Sequence, residues 1–134
     1  MKGKKSETAR PEPTKAELEI LQVLWEAGPS TVRFVNETLN RQREVNYTST
    51  LKQMQLMAEK GLLNRDESQM KHIYTPAEAE QKTKTRLLDR FVKTLYKGSA
   101  ASLVMQLLGN HKTSPAELAA IEELLKKEQG RSSL

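Results

Sequence analysis

The chain has 134 residues, 37% hydrophobic and 29% charged, with a net charge of +5 and no cysteine. That length suits one compact domain or two very small ones, and the missing cysteine excludes disulfides and thiolate metal sites. No apolar run approaches the roughly 20 residues of a membrane span, and no apolar segment follows the basic start as in a signal peptide, so a cytoplasmic protein without membrane insertion is expected.

Residues 1–13 are charged, contain proline and lack apolar periodicity, which predicts a disordered basic tail. Thr14-Lys15-Ala16-Glu17 then fits a capping box, in which the hydroxyl accepts from an early backbone N–H and the glutamate reaches back. The helix it opens runs to Ala27, with Leu18, Leu21, Leu24 and Trp25 on one face, and Gly28-Pro29 stops it. Thr31 caps a second helix over 32–42, with Val32, Val35 and Leu39 facing inward. A polar connection, RQREVNY, leads to a third helix capped by Thr48 and ended by Gly61. Leu51, Met54, Met57 and Ala58 make its buried side, while Ser49, Lys52, Gln53 and Lys60 make the opposite one. After Gly61 the period changes. Short strand-like runs at 62–65 and 71–75 flank the polar turn Asp66–Met70, which predicts a hairpin. Three helices followed by a hairpin, with the second and third helices joined by a short turn, form the pattern of a winged helix-turn-helix over 14–76.

Thr75-Pro76-Ala77-Glu78 and Ser114-Pro115-Ala116-Glu117 repeat the capping signature, with proline at the first helical position. They predict a long helix over 76–97 and a last helix from Pro115 to about Glu128. Between them Gly98 is a break and Ser99 caps another helix, followed by a turn at Asn110-His111-Lys112-Thr113. Leu88, Phe91, Leu95, Leu103, Val104, Leu107, Leu108, Leu118, Ile121 and Leu125 are more apolar residues than three such helices cover among themselves. A two-fold partner is therefore expected over 77–129, ahead of a short tail at 130–134. The fold class is mainly α: a winged helix-turn-helix followed by a three-helix dimerisation region.

No Gly-rich phosphate loop, histidine–carboxylate motif or nucleophile motif is present, so no enzyme and no cofactor are expected. His72 and His111 lack ligand-like neighbours, so no metal is expected either. Charge is unevenly placed. Residues 1–10 carry four basic residues against one acidic, 11–80 carry eight against eleven, and 81–134 carry ten against five. Total charge therefore argues only weakly for nucleic acid. The start of the third helix, polar but hardly charged, suits solvent or the floor of a DNA groove. A winged helix used as a protein-interaction adaptor is the alternative, though such a surface needs aromatic or aliphatic anchors, and only Leu56 offers one.

The stretches LEILQVLWEAGPSTVRFV, NYTSTLKQMQLMAEKGLL, the wing ending HIYTP, and SAASLVMQLL, in this order and spacing, resemble the BlaI/MecI penicillinase-repressor family, which includes the copper-responsive CopY repressors. The resemblance spans about Thr14 to Glu128. It implies a homodimeric repressor on inverted-repeat operator DNA, with Thr48, Ser49, Thr50, Lys52 and Gln53 facing the major groove and Lys71 on the wing at the backbone. It also implies relief through a membrane sensor protease pathway. The Asn-Phe bond cleaved in the family aligns with Gln106-Leu107, and Leu56 stands where many members carry arginine. The cysteines that serve copper in CopY proteins are absent. The residue types suit groove reading. Gln53 can pair bidentately with adenine, Lys52 can reach guanine or phosphate, and threonine methyls suit thymine methyls. Tyr47 either gives its hydroxyl to a phosphate or staples the helix start. Arg41, Arg43, Lys60 and Lys71 would supply the salt-dependent attraction to the backbone.

Overall fold

A computed structural model describes residues 12–110 and 113–132. Residues 1–11 of the tail predicted over 1–13, His111 and Lys112, and the last two residues lie outside the described part. Eight elements follow in order: α1 (Lys15–Ala27), α2 (Val32–Leu39), α3 (Tyr47–Lys60), β1 (Leu63–Asp66), β2 (Ile73–Pro76), α4 (Glu80–Tyr96), α5 (Ala100–Asn110) and α6 (Pro115–Ser132). The chain is mainly helical, with three helices and a hairpin followed by three more helices. It divides into two compact units, one ending at Leu87 and the other beginning at Leu88, so the boundary falls within α4.

In the first unit the capping box of α1 is complete: the Glu17 N–H donates to Thr14 Oγ1 at 3.2 Å, and the Thr14 N–H donates to Glu17 Oε1 at 2.9 Å. The core joins Ile20, Leu21, Val23 and Leu24 of α1 to Val32 and Val35 of α2, Met54 and Met57 of α3, and Leu62, Leu63 and Tyr74. Leu18 and Trp25, on the same predicted face as Leu21 and Leu24, are partly buried against this core. Trp25 Nε1 instead donates to the Glu78 carbonyl at 3.2 Å, which ties the end of α1 to the segment after β2.

β1 and β2 pair antiparallel, with Leu63 opposite Pro76 and Asp66 opposite Ile73. Ser30, just ahead of α2, adds a bridge. Its N–H donates to the Tyr74 carbonyl at 3.1 Å and its carbonyl accepts from the Tyr74 N–H at 2.8 Å. The wing is thereby fastened at its base, over the buried Tyr74 ring.

Two predicted helix starts move. Asn46, not Thr48, is the N-cap of α3, and its side chain accepts from the Ser49 N–H at 2.8 Å; asparagine ranks above threonine at this position. Thr75-Pro76-Ala77-Glu78 is no helix start. Thr75 and Pro76 belong to β2, and the Ala77 N–H donates to the Leu62 carbonyl at 3.0 Å. Strand pairing wins because it satisfies the backbone groups that a cap would have served. Glu78 instead accepts from Thr83 Oγ1 at 2.6 Å and Arg86 Nη2 at 2.8 Å.

The second unit contains two further helix starts of the predicted kind. Ser99 Oγ accepts from the Ser102 N–H at 3.1 Å, and Ser114 and Glu117 form a reciprocal box at 3.1 and 3.2 Å. The break after α4 places Lys97 and Gly98 at positive φ, 50° and 85°. Among the described residues, no helix is long and apolar enough to cross a membrane.

Candidate nucleic-acid interface

The turn between α2 and α3 is built from asparagine side chains. Asn40 Oδ1 accepts from the Val45 N–H at 3.1 Å, and its Nδ2 donates to the Val45 carbonyl at 2.8 Å. Asn36 Nδ2 donates to the same carbonyl at 3.0 Å and to Thr50 Oγ1 at 2.9 Å. These bonds satisfy a non-repetitive backbone and set the angle at which α3 leaves α2. At the other end Gly61 adopts a left-handed conformation, φ 87°. The Gly61 N–H bonds the Ala58 carbonyl at 3.2 Å and the Leu62 N–H bonds the Met57 carbonyl at 2.9 Å, a Schellman motif, with Leu62 and Met57 both in the buried core.

Around α3 the residues sort into four arcs at 100° per residue. Thr50, Met54 and Met57 are buried. Thr48, Ser49, Lys52, Gln55, Leu56 and Glu59 are exposed and form the outward face. Tyr47 and Leu51 lie on the flank towards the wing, and Gln53 and Lys60 on the flank towards α1. Of the five residues expected at bases, Thr48, Ser49 and Lys52 thus share the outward face. Thr50 does not: it is 2% exposed and hydrogen-bonded to Asn36. Gln53 is half-buried and donates to Glu17 Oε2 at 3.3 Å. Gln55, missed by the sequence reading, takes an outward position. The sequence reading put Gln53 on the outward side; that α1 covers the flank of Gln53 and leaves Gln55 outward is set by the fold.

That covering partner, Glu17, is fully buried. Burial pushes its carboxyl up. The hydrogen bond from Lys60 Nζ at 2.6 Å, the Thr14 N–H and the lysine charge outweigh burial and hold it below its ordinary value of 4.5. Lys60 is therefore already paired. Arg43 is paired as well, with Glu19. Arg41 and Lys71 are exposed.

On the opposite flank, Thr31 and Arg33 of the α2 start, Tyr47 and Leu51 of α3, and Met70, Lys71 and His72 of the wing line one depression of about 270 Å³. The Arg33 guanidinium lies 6.0 Å from the centre of the Tyr47 ring, at the outer reach of a cation–π contact. Arg33 was not singled out from the sequence; only the fold brings it beside Tyr47. The α2 start adds backbone N–H groups capped by Thr31, whose Oγ1 accepts from the Phe34 N–H at 3.1 Å. Helix N-termini of this kind attract anions. The wing tip differs in character: Arg65 pairs with Glu67 at 2.6 Å, the Asp66 carboxylate accepts the Ser68 N–H at 2.9 Å, and Met70 is 97% exposed.

In the second unit, Leu88, Phe91, Leu95, Val104, Leu107, Leu108, Leu118 and Leu125 are all exposed, with Leu103 and Ile121 half-buried. Gln106 and Leu107 both lie on exposed positions of α5.

Three helices, an amide-built turn and a wing fastened at its base define a winged helix-turn-helix protein. The sequence model of the penicillinase repressor family matches residues 13–127, nearly the whole chain, and the chain belongs to that family. Membership makes it a DNA-binding transcriptional repressor rather than an enzyme, and disfavours the adaptor alternative. A comparison with curated proteins finds no significant match.

Proposed function

We propose that the protein represses transcription as a cytoplasmic homodimer on an inverted-repeat operator, with residues 14–76 reading DNA and residues 77–129 holding the dimer. The carrying observation is the depression where Arg33, Tyr47, Lys71 and His72 meet beside the first turns of α3. Phosphate seated there would leave the outward face of α3 against base edges. Thr48, Ser49, Lys52 and Gln55 supply hydroxyl, ammonium and amide groups for those edges. Leu56, 41% exposed beside them, offers an apolar surface to a thymine methyl or sugar. Glu59 ends the face with a negative charge that phosphates avoid, so reading is confined to the first two turns. Gln53 is held on the flank, and Lys60 and Arg43 are engaged within the protein, so Arg41, Arg33 and Lys71 carry the backbone attraction. The acids of the wing tip, Asp66 and Glu67, stand off the phosphates, and Lys71, on the returning side of the same loop, approaches them.

Dimerisation through α4, α5 and α6 is supported by the large apolar side chains left exposed there. Relief by proteolysis at Gln106-Leu107, triggered through a membrane sensor protease pathway, rests on the family resemblance and on the exposure of both side chains on α5. Cutting there would separate α6 from the rest without touching the DNA-reading face.

The test is fluorescence-anisotropy binding of the full chain to duplex DNA from upstream of its own gene, with excess random DNA, at two salt concentrations. Binding that survives competitor with two chains per site supports the proposal; binding abolished by competitor contradicts it for that fragment. A chain truncated after Gln106 is expected to lose both dimer and operator affinity. Retention of both would end the proteolytic-relief reading.

A further inference from the structure

The capping box of α1 needs only one oxygen of Glu17. Its Oε1 accepts the Thr14 N–H. Its Oε2, in a side chain without solvent exposure, accepts from Lys60 Nζ at 2.6 Å and from Gln53 Nε2 at 3.3 Å. Gln53 and Lys60 stand seven residues apart, two turns along one flank of α3. One carboxylate on α1 therefore grips α3 at two heights.

The packing beneath α3 explains why such a grip matters. Its fully buried apolar residues are Met54 and Met57. Methionine is unbranched and adaptable, so it fills space without strongly specifying orientation. A methionine bed leaves α3 comparatively free to roll about its axis. Polar anchors must then set the roll: Thr50 with Asn36 on one side, Gln53 and Lys60 with Glu17 on the other. A roll of about 30° on a helix of about 5–6 Å radius carries a side-chain tip about 3 Å. That distance separates a hydrogen bond from none.

We infer that Glu17 is a positioning residue that determines DNA sequence specificity without touching DNA, by fixing the rotation of α3 about its axis. This rests on the reading of α3 as the DNA reader. Its loss lowers discrimination between sequences more than it lowers affinity. Binding to arbitrary sequence depends on phosphate contacts, which tolerate a small roll.

The test compares the full-length wild type with Glu17→Gln, Lys60→Met and Lys60→Arg. Glutamine keeps the shape and can serve the capping box but removes the charge that Lys60 meets. Lys60→Met spares the cap altogether, which covers the case in which Glu17→Gln folds poorly. Lys60→Arg keeps the ion pair. A duplex selected by the wild type from a random-sequence library, and a scrambled duplex of the same composition, serve as probes, with thermal unfolding followed in parallel. The ratio of the two affinities should fall by about tenfold in Glu17→Gln and Lys60→Met, the size of one mismatched base pair. Affinity for the scrambled duplex should hold or rise, and Lys60→Arg should stay within about threefold of wild type. A purely structural role would lower the melting temperature and leave the ratio intact, which overturns the inference. A wild type that selects no sequence at all overturns the DNA-reader reading and the inference with it. A selective wild type with unchanged ratios in both charge-removing variants overturns the inference alone.

Discussion

Thr50 separates the view from sequence from the view from structure, and Thr50→Val tests the difference. The substitution keeps the side-chain volume and removes the hydroxyl that accepts from Asn36 Nδ2 at 2.9 Å. A neutral hydrogen bond of this kind contributes about 0.5–1.5 kcal/mol net. Asn36 keeps its bond to the Val45 carbonyl at 3.0 Å, and it is half-buried, so water can reach the freed N–H. The expected loss is therefore about 1 kcal/mol, which lowers the melting temperature by about 4–8 °C for a unit of this size. Circular dichroism would follow the thermal transition, and anisotropy on the library-selected duplex and its single-base variants would follow base preference. Stability should fall and base preference should hold. Ser49→Ala should do the reverse, because its side chain is exposed on the outward face: stability within about 0.5 kcal/mol, with preference altered at one base pair. If Thr50→Val leaves the melting temperature unchanged and shifts base preference, the inward placement of Thr50 is wrong.

Lys71→Ala should weaken binding to all sequences alike and reduce the slope of log affinity against log salt by about one unit, measured by titration at several salt concentrations. Gly61→Ala forces a side chain into a left-handed conformation at φ 87°, so it should cost about 1–2 kcal/mol in urea unfolding although the added methyl meets open space. The carboxyl of Glu17 is held below its ordinary 4.5. Its contribution to stability is thus present in full above about pH 4.5 and is lost as pH falls through the lower folded-state value. Melting temperatures across pH 3 to 6, in steps of about half a unit, should show this slope in the wild type and a shallower one in Glu17→Gln. Equal slopes would mean that burial cancels what Lys60 and the Thr14 N–H contribute to the carboxylate.

The parts of the fold legible in the sequence are those set by local chemistry. The boxes at Thr14 and Ser114, the cap at Thr31 and the stop at Gly61 each depend on residues within five positions of one another, and each appears where expected. Thr75-Pro76-Ala77-Glu78 carries the same local signature and fails because long-range pairing with β1 claims its backbone. The candidate site divides along the same line. Periodicity placed Ser49 and Lys52 opposite Met54 and Met57. Which flank α1 would cover depended on Glu17, whose sequence reads only as a cap. Thr50 stands four and seven residues ahead of Met54 and Met57, so helical spacing puts it on their buried arc and Thr48 away from it. Reading the helix start as one polar cluster overlooked this, and the Asn36 amide, 14 residues away, supplies the buried hydroxyl with a partner. Gln55 and Arg33 emerge only once the flanks are known.

Whether the outward face of α3 reads DNA sequence is decided by selection from a random duplex library, with the full chain and Lys52→Ala run in parallel. The wild type should select a near-palindromic site. The variant should keep the same half-site spacing, with preference relaxed by about 1–3 kcal/mol at one base pair in each half. Identical base preferences for the two proteins would contradict a reading role for this face.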